Sequence, residues 1–314
     1  MNSRVHPKYK TKYRVTNWSE YERGLVQRGD VTVWLSRDAI AAWKPTASGR
    51  RGGQLKYSNL AIEAALTLRL VFHLPLRQAE GFLRCLLDLM GLSLEAPDHT
   101  TLSRRSKGLN VKLMPIVSKR SIHLIIDSTG LSIVGEGEWA AAKHGGRGKR
   151  GWRKLHLGVD RAGLIRAHVL TNSSGDDATT GIKVIKKTKG KLSSVTGDAA
   201  YDTVAIYDQA GARGARVVVP PTRTASVTGG RPRSAERDKT IRRVAKVGRR
   251  RWKKESAYHQ QGTVENAFFR YKSMLGDKLH ARGLAAQKTE VAIGCKVLNR
   301  LLGLSRPRSV ALAR

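Results

Sequence analysis

HLIID, residues 123–127, is an unbroken apolar run that stops on an acid. A short run of this kind reads as a buried strand, and its last residue emerges at the sheet edge where ligands bind in open α/β folds. Residues 131–134 read as a partner strand. Further on, residues 155–159 and 164–170 flank the turn-rich tetrad Asp160-Arg161-Ala162-Gly163, the pattern of a hairpin. Asp176 or Asp177 can cap a helix reaching Lys187, and residues 193–196 form a short strand running into Gly197-Asp198. Residues 203–210 then read as a helix and 215–219 as a strand stopped by Pro220 and Pro221. Early antiparallel strands followed by alternating helices and strands predict an α/β fold, a mixed sheet flanked by helices.

Upstream the pattern is helical. A basic arm dotted with aromatics (Lys8, Tyr9, Lys10, Lys12, Tyr13, Arg14) fills residues 1–20, and TASGRRGG at 46–53 has linker composition. Between them, residues 31–35 alternate like a short strand and 38–43 like one or two helical turns. Ser58 caps a helix running to Phe72 that is apolar nearly all round, so it is buried. Pro75 opens a second helix with Leu76, Ala79, Phe82, Leu83, Leu86 and Leu87 on its inner side, stopped at Gly91. Asp98 caps a third, polar helix that displays Arg104, Arg105 and Lys107. A basic helix after an apolar one suggests a DNA-reading element, although the connection is longer than in a helix-turn-helix, and an ordinary surface helix is the other reading. The expected organisation is an arm and linker over 1–53, a small all-helical DNA-binding region over 54–118 and a catalytic domain over 119–305.

Charge narrows the partner. Lys and Arg number 59 against 24 acids, a formal net charge of +35 in 314 residues. Self-repulsion on that scale calls for a polyanion, and nucleic acid is the first candidate. Residues 222–254 concentrate the effect, with Arg249, Arg250 and Arg251 among their cations, and read in isolation either as poorly ordered or as a loosely held helix, able to order on DNA. Cys85 and Cys295 sit in apolar contexts and read as buried hydrophobes, not as a disulfide or zinc site. Neither a secretory signal nor a stretch able to span a bilayer is present, so the expectation is a cytoplasmic protein with no membrane partner.

The acids suggest chemistry. Asp127 and Asp198 both end strands; if those strands are neighbours, the two carboxylates meet at one edge. A third, Glu265, lies in a helix expected from Ala257 to Leu275, with Ser256 as N-cap and Gly276 as stop. Residues seven apart on a helix lie about 20° from eclipsed, so Tyr258, Glu265 and Lys272 share a face with Gln261, beside the apolar stripe Val264, Phe268, Tyr271 and Leu275. Taken singly, each acid is also an ordinary turn or surface residue. Three carboxylates without a His or Cys cluster suit hard cations, Mg²⁺ or Mn²⁺, and a pair of such ions serves phosphodiester transfer. A last helix is expected over 290–302.

IDSTG (126–130), WRKLHLGVD (152–160), GDAAYD (197–202) and YHQQGTVENAFFRYK (258–272), taken in order, resemble the DDE transposases of bacterial insertion sequences. LPLRQAEGF (74–82) and PDHTTLSRR (97–105) resemble the helical region that precedes their catalytic domain, so the resemblance spans roughly residues 15–305. Tyr258, Glu265 and Lys272 fit the Tyr-Arg-Glu-Lys motif of one branch; Gln261 departs from it, standing where the motif has Arg. The resemblance implies a ribonuclease-H-like core, with Asp127, Asp198 and Glu265 as catalytic metal ligands for two Mg²⁺ or Mn²⁺ ions. Tyr258 and Lys272 would contact DNA near the scissile phosphate. The implied substrates are double-stranded terminal inverted repeats and target DNA, acted on by a homodimer or larger assembly. Asp202 rivals Asp198, the role of Lys154 and His156 is open, and Trp139, Trp152 and Trp252 are either base-stacking residues or packing. A nuclease that cuts without joining and a non-catalytic DNA-binding protein remain the alternatives.

Overall fold

In the computed structural model, which describes residues 13–46, 49, 51–113, 121–135, 151–228 and 235–312, β1 (Tyr13–Val15) precedes α1 (Trp18–Gln27), α2 (Val31–Trp34) and α3 (Arg37–Ala41). α2 replaces the strand expected at 31–35. Asp30 accepts from the Thr32 backbone N–H at 2.9 Å and from its hydroxyl at 2.8 Å, which fixes a first helical turn. Ser58 caps α4 (Asn59–Val71), Pro75 opens α5 (Leu76–Leu89) and Asp98 caps α6 (His99–Ser106), all as the sequence predicts. On α5 the buried stripe is Ala79, Leu83 and Leu87, so Cys85 falls on the opposite face and is exposed, against expectation; Cys295 is buried.

The sheet follows. β2 (Ile122–Ile133), β3 (Trp152–Val159) and β4 (Ile165–Asn172) form an antiparallel meander. α7 (Asp177–Lys187), capped by Asp176, crosses to β5 (Leu192–Thr196), and α8 (Val204–Gly211) crosses to β6 (Arg216–Val218); β5 runs parallel to β2 and β6 to β5. The order β4-β3-β2-β5-β6, with a sixth short strand on β2, is a mixed sheet flanked by helices, the ribonuclease-H-like arrangement. Residues 131–134 are not a partner strand. β2 runs on through Ser128, Thr129 and Gly130 because β3 pairs with it from Ile125↔Val159 to Ser132↔Trp152.

Of the two readings of the basic segment, the structure takes the helical one. Its residues from 235 on fold as α9 (Ala235–Val247) and α10 (Arg249–Glu255), held by Arg237 paired with Asp202, by Arg243 and Arg251 paired with Glu255, and by the burial of Trp252. The helix expected from Ala257 is broken. Ala257 takes a left-handed conformation (φ 58°), Ser256 ends α10 instead of capping, and a 3-10 turn, Tyr258–Gln261, leads into α11 (Gly262–Leu275), which Gly276 stops at φ 97°. β7 (Lys278–Leu279) joins the sheet, and α12 (Leu284–Leu304) begins earlier than expected and precedes β8 (Ser309–Ala311), which pairs with β1.

One apolar core binds the helical layer to the sheet, running from Trp43, Ile62, Leu83 and Leu102 through Ile125 and Leu157 to Val264 and Val291; a second, with Leu124, Val195 and Ile206, lies under α7 and α8. Among the described residues no single helix is long and apolar enough to cross a membrane. α4 and α5 pass that test only together and are bent by 111°.

Candidate active site

β5 accompanies β2 only as far as Ile125↔Thr196, and β7 joins β2 from Ser132↔Lys278. Between those points this edge of β2 has no strand beside it among the described residues. The 3-10 turn enters there, with Gln261 Nε2 donating to the Ile126 carbonyl at 3.4 Å. Asp127 lies two residues past Ile125 and Asp198 two past Thr196, so the parallel pairing carries both acids to the same end of the β2–β5 pair. The condition stated for the two strands is met: they are neighbours. Asp127 is within β2 and not at its end, but it stands where the parallel partner departs.

Each acid is held by one short bond. Asp127 Oδ1 accepts from Ser128 N at 2.7 Å and Asp198 Oδ1 from Ala200 N at 3.0 Å, and neither meets a cation among the described residues. Burial pushes Asp127 up to about 6. The Ser128 N–H opposes this, and the charges of Asp198 and Glu265 add to it. Asp198 is raised too, by burial first. Glu265, in the first turn of α11, is exposed and has neither an ion pair nor a side-chain hydrogen bond among the described residues. Tyr258 is half-buried, pushed up to about 12 by burial and by the three carboxylates, with Lys253 Nζ 4.9 Å from its ring centre. All three acids therefore bear on the same space.

Sequence reasoning treated Asp177 only as a cap. It is a fourth carboxylate coupled to this space, raising both Asp127 and Asp198. Lys154 Nζ binds it at 2.6 Å. His156 is buried and pushed down to about 4 by that burial, so it is neutral near pH 7. Its Nε2 meets Thr171 Oγ1 at 3.1 Å, while its Nδ1 is 3.6 Å from Asp177, too far to bond. Lys154 thus anchors the start of α7 against β3, and His156 ties β3 to β4. The signal for Asp177 was its place at a helix start directly after a strand.

The remaining candidates divide. Gln261 is buried, with Oε1 unpartnered, so it braces the 3-10 turn on β2. Lys272 is partly exposed on α11. Arg104 and Lys107 are exposed, whereas Arg105 binds Tyr57 O at 3.0 Å and Asn59 Oδ1 at 2.7 Å and is committed to the fold. Arg250 is exposed, Arg249 partly so, and Arg251 pairs with Glu255. Trp252 is packing, Trp152 is 42% exposed beside Gly130, and Trp139 and the basic residues before Tyr13 lie outside the described residues. Asp202 is fully enclosed, with Arg237 on both its oxygens.

The chemistry of the donor set fits a hard divalent cation: three carboxylates, two of them partly buried, none ion-paired among the described residues, although the Lys154 charge reaches Asp198. Among the described residues no three acidic, His or Cys side chains stand close enough to hold one ion as they are, so binding requires them to turn inward, as the exposed Glu265 is free to do. Residues 118–300, more than half of the chain, match a family model described as a transposase DDE domain, and residues 26–136 match a second model of the same description.

Proposed function

The chain belongs to the transposase DDE-domain family, and on that premise we propose that it cuts DNA at the terminal inverted repeats of an insertion sequence and joins the freed ends to target DNA. The observation that supports this reading is the β2–β5 pairing, which brings Asp127 and Asp198, neither ion-paired among the described residues, to one end of the two strands, with Glu265 close enough to raise Asp127. Asp127, Asp198 and Glu265 are the catalytic residues and would hold two Mg²⁺ or Mn²⁺ ions. When bound, such ions would supply activation of the attacking oxygen and stabilisation of the leaving one in a phosphodiester displacement.

The chain's own part is positioning. Strand pairing to β3 and the Ser128 N–H fix Asp127, and the Ala200 N–H fixes Asp198. Tyr258, whose phenol keeps its proton at neutral pH, donates to the DNA backbone near the cut, and Lys272 adds charge there. Gln261 acts through the turn it braces and not as a phosphate contact. Arg104, Lys107, Arg249 and Arg250 hold flanking duplex, with Arg105 and Arg251 supporting their surfaces. Two ends must meet, so the working form is a homodimer or larger assembly, on the nucleoid in the cytoplasm.

The test is cutting of a fragment carrying the element's end, in Mg²⁺. Asp127→Asn, Asp198→Asn and Glu265→Gln should each lower the rate by about 10³-fold or more and leave salt-sensitive binding in place. Full cutting by any of them removes that residue from the mechanism. Pre-cut ends that yield no joined product, from an enzyme that cuts, identify a nuclease instead; no cutting by the wild type leaves a DNA-binding protein.

A further inference from the structure

GDAAYD, residues 197–202, supplies the site acid Asp198 and also a buried phenol, Tyr201, that the proposed chemistry does not use. Tyr201 is 1% exposed, and its ring lies between two glycines. A Cβ on Gly181, in the middle of α7, would stand 2.8 Å from Cε1 of the ring and 2.9 Å from Cδ1. A Cβ on Gly197 would stand 2.8 Å from Cδ2 and 3.1 Å from Cγ, on the ring's other edge. Carbon atoms do not approach so closely without strain, so glycine at both positions is what admits the ring.

Gly197 has a second neighbour. The same Cβ position is 3.3 Å from Cγ1 of Ile126. Ile126 and Gly197 directly precede Asp127 and Asp198, so the packing of these two residues fixes the backbone on which both acids stand. Ile126 is itself 1% exposed and shares one apolar core with Tyr201. The turn closes the arrangement, as Tyr201 N–H donates to the Asp198 carbonyl at 3.2 Å. Behind the ring α7 is held in place, because Lys154 of β3 binds Asp177 at 2.6 Å, one turn before Gly181. The charges of Asp177, Asp127 and Asp198 all reach the Tyr201 phenol, which puts it beside the acids.

We infer that Tyr201 is a positioning residue of this site: its ring, braced on Gly181, holds Gly197 against Ile126 and thereby sets the spacing of Asp127 and Asp198. A cation shared by two carboxylates depends on that spacing, since each oxygen must reach it at about 2.0–2.6 Å. The ring acts by its bulk, and its hydroxyl takes no part. Lys154 then serves the site at one remove, by holding the helix that backs the ring. The ion is taken from the proposed function, on which this inference rests.

The test is Mn²⁺ uptake by the full chain without DNA, followed by water-proton relaxation, with a melting curve for every variant. Tyr201→Leu keeps an apolar side chain but removes the ring, and should bind Mn²⁺ about tenfold more weakly. Tyr201→Phe keeps the ring and should restore binding to near the wild-type level. Leu192→Ala, in the same core at the far end of β5, should lower the melting temperature and leave Mn²⁺ affinity near wild type. Gly181→Ala serves should Tyr201→Leu fold poorly: alanine suits a helix interior, while its methyl drives the ring toward Gly197 and should weaken Mn²⁺ binding in the same direction. Wild-type affinity in folded Tyr201→Leu, or in Gly181→Ala where Tyr201→Leu does not fold, overturns the inference. So does a loss in Tyr201→Phe, or in Leu192→Ala, as large as that in Tyr201→Leu. Each of those results leaves the proposed function standing, whereas a wild type that takes up no Mn²⁺ removes its metal chemistry and this inference together.

Discussion

Asp198 and Asp202 flank one short 3-10 turn and meet opposite environments. Asp202 is fully enclosed, with Arg237 donating to both oxygens at 2.8 and 2.9 Å and the Thr222 N–H at 3.0 Å. Asp198 has the Ala200 N–H alone. The same contrast separates Asp160, held by Arg166 and by two backbone N–H groups, from Asp127, held by one. In a chain with 59 basic residues against 24 acids, a cation for every carboxylate is cheap to supply. Leaving Asp127, Asp198 and Glu265 without one keeps their charge available to a ligand from outside. Paired acids such as Asp160 and Asp202 hold this fold together; under the proposed function Asp127, Asp198 and Glu265 are reserved for the metal.

The sharpest break of that contrast is Arg237→Ala, which strands a buried carboxylate and should cost about 3–5 kcal/mol in urea or thermal unfolding. An Arg237→Ala protein as stable as wild type would erase the distinction. Asp127→Asn should do the opposite in metal-free protein, stabilising it by on the order of 1 kcal/mol near pH 7 once partial exposure is allowed for. The sign follows from linkage. The carboxyl of Asp127 is raised from 3.8 to about 6 on folding, so between those values the native state holds more protons than the unfolded one. Wild-type stability in EDTA should therefore fall as pH rises through that window, and Asp127→Asn should flatten the fall. A parallel pair of melting curves against pH would contradict it. The smallest effect belongs to Gln261→Leu. The amide bond lost is long, at 3.4 Å, and Oε1 is already unpartnered, so the stability change should stay within about 1 kcal/mol. A larger loss would mean that Gln261 carries more of the fold than its contacts show.

Local chemistry was legible in the sequence and non-local pairing was not. Ser58, Asp98 and Asp176 announce their helices because a cap needs only the next turn of chain. The hairpin at Asp160–Gly163 is readable for the same reason. Ser128-Thr129-Gly130 read as a break since nothing nearby shows β3 pairing across them. Residues 235–255 read as poorly ordered or loosely held because Asp202, the partner of Arg237, lies far back in the chain. Ala257 gave no warning of its left-handed turn, having neither Gly nor Asn. At the site, the strand ends pointed to Asp127 and Asp198, while the pairing of β2 with β5 and the approach of Glu265 to Asp127 came from tertiary packing.

Manganese binding followed by electron paramagnetic resonance, without DNA, addresses the reserved carboxylates most directly. The wild type should bind Mn²⁺, and Asp127→Asn, Asp198→Asn and Glu265→Gln should each weaken that binding by about tenfold or more. Asp208→Asn, an exposed acid on α8, should leave it unchanged. Equal Mn²⁺ affinity in the wild type and in all three site variants would contradict the shared role of these acids.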